Sequence, residues 1–453
     1  MSKVGTPKGT RDFSPSQMVK RNYLFNTIKK SFTQYGFMPL ETPSMENLSV
    51  LTGKYGEEGD RLLFKILNSG DYLKKANDED LKAKDSKKLI KQISEKGLKY
   101  DLTVPFARFV AQNHGQLAMP FKRFQIQPVW RADRPQKGRY REFFQCDADS
   151  VGSDSLLCEV ELVQIYDDVF KNLNIEGVQI EINNRKILAG IAEVLGASDK
   201  LVDMTVAIDK LDKIGKEKVL EELKERGFEQ DKLEKISPLF ELTGSNSEKL
   251  NSMKEFLKDS ETGLLGISEL ETIFKYTDKL GVETLNFDVT LARGLDYYTG
   301  AIYEVKLLDG SMGSIGAGGR YDNLTGVFGL KGVSGVGISF GADRIFDVME
   351  ARDLFPKNLE NFLDVLFINF GDESQDKSLE QLLKIRKANL RAEIFPEPVK
   401  MKKQMKYANA KGSRFVIMIG EDELKEDMLA LKNMETGDQE KVSIERAIEI
   451  ISK

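Results

Sequence analysis

A chain of 453 residues with 40% hydrophobic and 31% charged side chains has the makings of a folded protein of two or three domains rather than a disordered one. Its net charge of −5 excludes a general nucleic-acid coat, and its two cysteines, Cys146 and Cys158, exclude a disulfide framework or a CxxC zinc site. The single histidine, His114, excludes a multi-imidazole metal centre, so no protein-held metal is expected; no run of about 18 apolar residues suggests a membrane span, and the chain is expected in the cytoplasm.

Ser14 and Pro15 carry cap and first-turn chemistry, and Met18, Phe25, Ile28, Phe32 and Tyr35 recur at helical spacing up to Gly36. This predicts an amphipathic helix with those side chains inward. The two prolines in residues 37–43 hold their predecessors out of the helical region, so an extended edge strand follows. Residues 72–100 are dense in Lys, Asp and Glu and read as a solvated helical insertion or loop without site chemistry. Strand-like runs at 124–129 and 143–151 flank the polar stretch RADRPQKGRYRE, an antiparallel pair with a long charged loop. Val178, Ile180 and Ile182 alternate as a further strand, and residues 187–280, rich in Lys, Glu and Leu at helical spacing, read as an inserted helical domain. Strand character returns at 285–291 and 301–307; SMGSIGAGGRYD follows, and GVSGVGISFGADRIFDVM reads as a buried strand feeding a helix. Beyond Phe355, strand (363–370), helix (378–389), strand (392–395), helix (402–410) and strand (415–419) predict a separate α/β domain with a parallel sheet.

Between residues 121 and 142 stand Lys122, Arg123, Arg131, Arg134, Lys137, Arg139 and Arg141 against only Asp133 and Glu142. Guanidinium density beside a sheet suits polyphosphate recognition through bidentate bonds, although a solvated hairpin tip would also account for it. Gln145, Asp147 and Asp149 alternate along the returning strand and so share a face, which favours a pocket. GVGISFG is not read as a dinucleotide fingerprint, because the acidic residue expected about 20 positions after a first strand-turn-helix unit is missing, and no GxxxxGK loop occurs. The glycines of GAGGRYD instead let the backbone pass close to a ligand. His114 is read as a structural helix-end residue, and both cysteines as buried thiols. Lys400, Lys402, Lys403, Lys406, Lys411 and Arg414, with no acid among residues 400–414, suit a phosphate backbone or a solvated amphipathic helix.

FQIQPVWRADRPQKGRYREFFQCDADSVG resembles motif 2 of the class II aminoacyl-tRNA synthetases in its histidyl form, and GVSGVGISFGADRIFDVM resembles motif 3. LARGLDYYTG (291–300) and GAGGRYD (316–322) resemble the two signatures peculiar to the histidyl-tRNA synthetases. GTRDF (9–13), the first helix with Pro43 as motif 1, and YDLTVPFARFVA (100–111) extend the likeness over nearly the whole chain. The departures are DLT at 101–103, Asp149 where many relatives carry Glu, and GADR in place of GLER; each keeps its charge, so they bear on pocket distances.

The resemblance implies a class II catalytic domain with a mostly antiparallel sheet over residues 1–186 and 281–355. A helical insertion would occupy 187–280, and an α/β anticodon-binding domain 362–453. It implies ATP-dependent activation of L-histidine and transfer to histidine tRNA, Mg2+ accompanying the ATP, and a homodimer. Arg131, Arg293 and Arg344 would be catalytic, Arg131 and Arg293 also facing the histidine and Arg131 and Arg344 the phosphates. Asp133, Arg139 and Phe143 would complete the ATP site; Asp101, Thr103, Gln145, Asp149, Tyr297, Tyr298 and Tyr321 would hold the histidine. Without their surrounding motif, Tyr297 and Tyr298 would read as core aromatics. Gln136 would meet the tRNA acceptor end. The alternative is a non-catalytic histidine-sensing paralogue, the regulatory subunit of ATP phosphoribosyltransferase, which typically lacks the C-terminal domain and several of these arginines.

Overall fold

A computed structural model describes residues 4–292 and 297–453, apart from the side chains of Glu57, Glu58 and Asn358. It forms two compact units: residues up to Ser14 with Arg21–Leu354, and Pro15–Lys20 with Phe355–Lys453. Residues 187–280, expected as an inserted domain, are helical and belong to the first unit.

The first helix, α1 (Pro15–Gln34), ends where Gly36 adopts a positive φ of 78°. Its buried stripe is Arg21, Leu24, Ile28, Ser31 and Phe32, while Met18 is 38% exposed. The expected stripe is displaced because Arg21 occupies an inward position, its charge satisfied by Asp343 at 2.6 Å. A count of apolar residues cannot register that.

In chain order the strands of this unit are β1 (Met38–Pro39), β2 (Met45–Asn47), β3 (Lys65–Ile66), β4 (Lys96–Leu98), β5 (Phe121–Trp130), β6 (Glu142–Val151), β7 (Val178–Asn184), β8 (Leu285–Phe287), β9 (Ala301–Leu307), β10 (Gly316–Tyr321) and β11 (Gly335–Gly341). Eight form one sheet in the order β1-β5-β6-β11-β10-β9-β7-β8. Only the outer pairs, β1 with β5 and β7 with β8, are parallel; the centre is antiparallel throughout. β2, β4 and β3 make a small second sheet. The lysine-rich stretch holds two capped helices, Asp78–Ala83 and Ser86–Ile93, with no buried residue in either. At its end, however, Lys99 is fully buried.

Strand alternation divides the central sheet into two faces. Cys146, Ala148, Val336, Ile338 and Phe340 lie on the apolar one. There Phe340 meets Phe32 at 5.8 Å and, from the helix Leu157–Asn172, Tyr166 at 4.8 Å and Phe170 at 5.6 Å. Gln145, Asp147, Asp149, Gly337 and Ser339 point the other way. Cys158 is only half-buried, contrary to expectation, with its sulfur 3.7 Å from the Ser150 hydroxyl.

In the second unit β12 (Leu363–Phe367), β13 (Ala392–Ile394) and β14 (Ser413–Met418) are parallel as expected. The sheet is nevertheless mixed: β15 (Leu429–Asn433) and β16 (Gln439–Val442) add antiparallel strands in the order β13-β12-β14-β15-β16. Val365 and Phe367 feed one core with Ile385 and Ile451, while Leu366 feeds another with Ala408 and Val416. Both faces are thus covered, which explains why β12 is apolar apart from Asp364, whose carboxylate pairs with Arg391 at 2.7 Å. Among the expected basic residues, Lys411 pairs with Glu393 at 3.6 Å and Arg414 donates to the Ile451 carbonyl; Lys400, Lys402, Lys403 and Lys406 stay exposed. Among the described residues no helix is long and apolar enough to cross a membrane.

Phe340→Ala removes the ring that joins α1, β11 and the helix Leu157–Asn172. It should cost about 3–5 kcal/mol, read as a lower urea midpoint with unchanged slope for the transition that reports on the first unit.

Candidate functional site

A cavity of about 370 Å3 lies on the polar face of the first unit's large sheet. β6 supplies Phe143, Gln145, Asp147 and Asp149; β11 and β10 supply glycine-rich backbone with Ser339 and Tyr321. Arg131, Asp133 and Arg139 come from the loop between β5 and β6, Asp101 and Thr103 from the start of the helix Thr103–Asn113, and Tyr297 and Tyr298 from the segment before β9. Arg344 enters from the helix Ala342–Ala351. These residues, distant in sequence, therefore share one space. Arg293 lies outside the described residues. Gln136 is an exposed loop residue, paired through its backbone with Arg139 and not on the cavity wall. His114 is exposed at the end of its helix, as expected.

The cations are held by backbone carbonyls and aromatic rings. Arg344 donates from Nε to the Gly138 carbonyl at 2.8 Å and from Nη1 to that of Ser314 at 2.5 Å. Arg131 donates to the Tyr100 carbonyl at 3.1 Å and lies over the Tyr100 and Phe143 rings at 4.2 and 5.2 Å. Asp343, one residue before Arg344, accepts from Arg21, from the Phe144 amide and from Arg11, whose guanidinium stacks on Tyr140. Two of the basic residues counted toward phosphate binding point elsewhere. Lys122 is 2.7 Å from Glu161, and Arg123 is wholly buried at 2.8 Å from Asp149.

The remaining wall is acidic and aromatic. Asp101 accepts from the Val104 amide at 3.1 Å and from the Tyr55 and Tyr297 hydroxyls at 3.0 and 3.2 Å. Burial raises its pKa, opposed chiefly by that amide and by Arg131. Asp149 accepts from the Tyr321 hydroxyl at 2.6 Å; burial raises its pKa too, against the pull of Arg123. Burial pushes Asp147 up to about 7. The buried phenols of Tyr297, Tyr298 and Tyr321 are raised as well and remain donors. Gln145 Oε1 and Asp147 Oδ1 are buried without a hydrogen-bond partner among the described residues. Buried acceptors are seldom left unpaired, so the wall is built to receive N–H groups, opposite arginines suited to oxyanions.

Gly337 permits this arrangement: a Cβ there would stand 2.1 Å from Asp149 Oδ1. The glycines of GAGGRYD answer first to the protein itself, for a Cβ at Gly318 would stand 2.3 Å from the Gly337 carbonyl. Sequence reading gave no role to Ser339, Glu304, Tyr140 or Asp343 on this wall. Alternation along SVG-flanked β6 did put Asp147 on the right face; nothing local marked Glu304.

The profile of the Histidyl-tRNA synthetase family matches residues 9–345, and that of the Anticodon binding domain matches residues 364–453. A histidine–tRNA ligase of Bacteroides fragilis is 59% identical over 453 residues, covering both chains fully. The crystal structure of histidyl-tRNA synthetase from Nostoc sp. PCC 7120 superposes with a TM-score of 0.84 at 32% identity, covering 100% of this chain and 99% of that one. An ATP phosphoribosyltransferase regulatory subunit/histidyl-tRNA synthetase from Bacillus halodurans shares the fold, with a TM-score of 0.74 at 18% identity over 91% of this chain and 97% of its own. The large antiparallel sheet and its cavity are those of a class II aminoacyl-tRNA synthetase, with a separate anticodon-binding fold behind it in sequence. The chain belongs to the histidyl-tRNA synthetase family.

Between about pH 4, where an unfolded aspartate releases its proton, and about 7, folded Asp147 still holds one. The unfolded chain then binds fewer protons, so this group's contribution to stability falls as pH rises through that window. Asp147→Asn should remove the fall: its urea-unfolding free energy relative to the parent improves steadily from pH 4 to 7. Parallel pH curves would show an ordinary carboxylate.

Proposed function

We propose that this chain uses ATP to activate L-histidine as histidyl-adenylate and then transfers the histidyl group to histidine tRNA. The observation that carries the reading is that Arg131 and Arg344 share one cavity with an acidic and aromatic wall on which Gln145 Oε1 and Asp147 Oδ1 have no hydrogen-bond partner among the described residues. Histidine offers an ammonium and imidazole N–H groups to such a wall, and a ligand lacking them leaves buried acceptors unpaired, which selects without editing. Asp101, Thr103, Gln145, Asp149, Tyr297, Tyr298 and Tyr321 hold it.

The carboxylate attacks the α-phosphorus in line and pyrophosphate departs. Arg131 bridges carboxylate and α-phosphate, and Arg344 grips the far phosphates. Asp133, Arg139 and Phe143 complete the nucleotide site, and Arg293 stabilises the charge that develops at the α-phosphate. Both steps depend on positioning and charge stabilisation. Among the described residues no three His, Cys, Asp or Glu side chains gather as a metal cage. Mg2+ accompanying the ATP would neutralise phosphate charge, and the buried Glu304 carboxylate on the cavity wall would serve it as an oxygen ligand.

Gln136, exposed on its loop, is available to the acceptor end, and the exposed Lys400, Lys402, Lys403 and Lys406 suit the phosphates of the anticodon arm. A catalytic domain of residues 1–186 and 281–355, its helical insertion, and an anticodon-binding domain from 362 divide the work. A cytoplasmic homodimer belongs to the same reading. The regulatory-paralogue alternative is not favoured, since Arg131, Arg293, Arg344 and the C-terminal domain are all retained.

Exchange of labelled pyrophosphate into ATP should depend on histidine and on no other amino acid. Arg293→Ala should slow adenylate formation about 10²-fold or more while leaving histidine affinity nearly unchanged, as loss of a transition-state contact does. Exchange indifferent to histidine would rule out the activity, and equal losses in binding and rate would rule out the role of Arg293.

A further inference from the structure

The mechanism above leaves one cavity carboxylate without work. Asp147 is 2% exposed and sits midway along the polar face of β6, between Gln145 and Asp149. Register places Gln125 of β5 beside it on one side and Ser339 of β11 on the other. The Gln125 amide nitrogen already donates to Thr42 and Gln127, and that of Gln145 to the Ser339 hydroxyl. Among the described residues no N–H reaches Asp147 Oδ1, the Nε and Nη1 of nearby Arg123 included, which are themselves without a hydrogen-bond partner.

The other carboxylates of the wall are committed. Asp149 Oδ1 accepts from Tyr321, and its Oδ2, without a hydrogen bond among the described residues, is ion-paired with Arg123 at 2.8 Å. Asp101 is held by two tyrosines and an amide and feels Arg131, whose own Nε donates to the carbonyl of the preceding residue, Tyr100. With Arg131 at the substrate carboxylate, the α-ammonium, one atom away from that carboxylate's carbon, falls beside Asp101. From the Cα held between Arg131 and Asp101 the side chain extends across the same cavity, whose wall includes Asp147.

We propose that Asp147 is a further specificity-determining residue of the histidine site, its unpartnered oxygen accepting an N–H of the imidazole ring. The assignment rests on histidine being the substrate. Asp147 also titrates near neutrality, because burial and the charges of Asp149 and Asp101 outweigh Arg123 and the Ser339 hydroxyl. A carboxyl so poised is matched to a ring that itself titrates near pH 6.5.

Pyrophosphate exchange measured with L-histidine and with its two ring-N-methyl isomers, on the parent, Asp147→Asn and Asp147→Ser, tests the assignment. The parent should reject at least one methyl isomer. Both variants should raise the KM for histidine about tenfold, with kcat and the KM for ATP within about twofold, and should reject that isomer about tenfold less strongly. An unchanged histidine KM, an equal rise in the KM for ATP, or full retention of the discrimination would overturn it while leaving activation by the parent intact. Loss of histidine-dependent exchange in the parent would instead overturn the function and this assignment together. Should neither variant fold, equal use of both methyl isomers by the parent is decisive against a ring N–H acceptor, and rejection of one supports it.

Discussion

A guanidinium and a carboxylate buried side by side set the terms on which the cavity exists. Arg123 and Asp149 stand opposite each other in the β5–β6 register, both shut from solvent, with charged atoms 2.8 Å apart. Removing one partner would leave the other charged in a low-dielectric interior, which is far more costly than the pair is favourable. The consequence reaches beyond the two residues. Asp101, Asp147 and Asp149 crowd one wall, where burial, joined at Asp147 by repulsion from the other two, raises their pKa values and a nearby cation opposes that rise. For Asp147 and Asp149, Arg123 supplies that cation from the neighbouring strand, beside Asp149 on the same face, without lining the cavity. The floor is thereby an array of acceptors rather than a repelling cluster.

A second carboxylate does comparable work for the opposite wall. Asp343 collects Arg11, Arg21 and the Phe144 amide, and so ties the N-terminal segment, α1 and β6 to the helix that carries Arg344. The arginine's own side chain is then steered by two carbonyls. A cation held in place beforehand has less reorganisation left to undergo when an anion arrives. The sheet extends the same economy: its apolar face is clamped by Phe340, Tyr166 and Phe32, while missing side chains at Gly318 and Gly337 let β10 and β11 close beneath the ligand space.

The sequence and the folded chain agree where the controlling forces are local. The strands on either side of RADRPQKGRYRE, the strand-to-helix passage at GVSGVGISFGADRIFDVM and the first helix all lie where periodicity and capping put them. In the second unit the three parallel strands were legible from their largely apolar residues and their alternation with helices, but β15 and β16 were not, because LALKN and QEKV are short and half polar. Their strand character comes from pairing with β14 rather than from their own pattern. The helix from Asp372 likewise begins earlier than its apolar repeat, on acidic residues that favour a helix N-terminus.

By itself the sequence determined the family, through motifs scattered from Gly9 to Arg344, and most of the residues it proposed for the site line one cavity. It could not determine how the charges would be shared out. Arg123 and Arg131 stand on the same charged hairpin, yet one neutralises Asp149 inside the sheet and the other faces the cavity. Arg21 turned inward toward a carboxylate more than three hundred residues away. The physical reason is that periodicity and propensity act over a few residues, whereas the cost of burying a charge is decided by whichever partner the complete fold brings within about 3 Å.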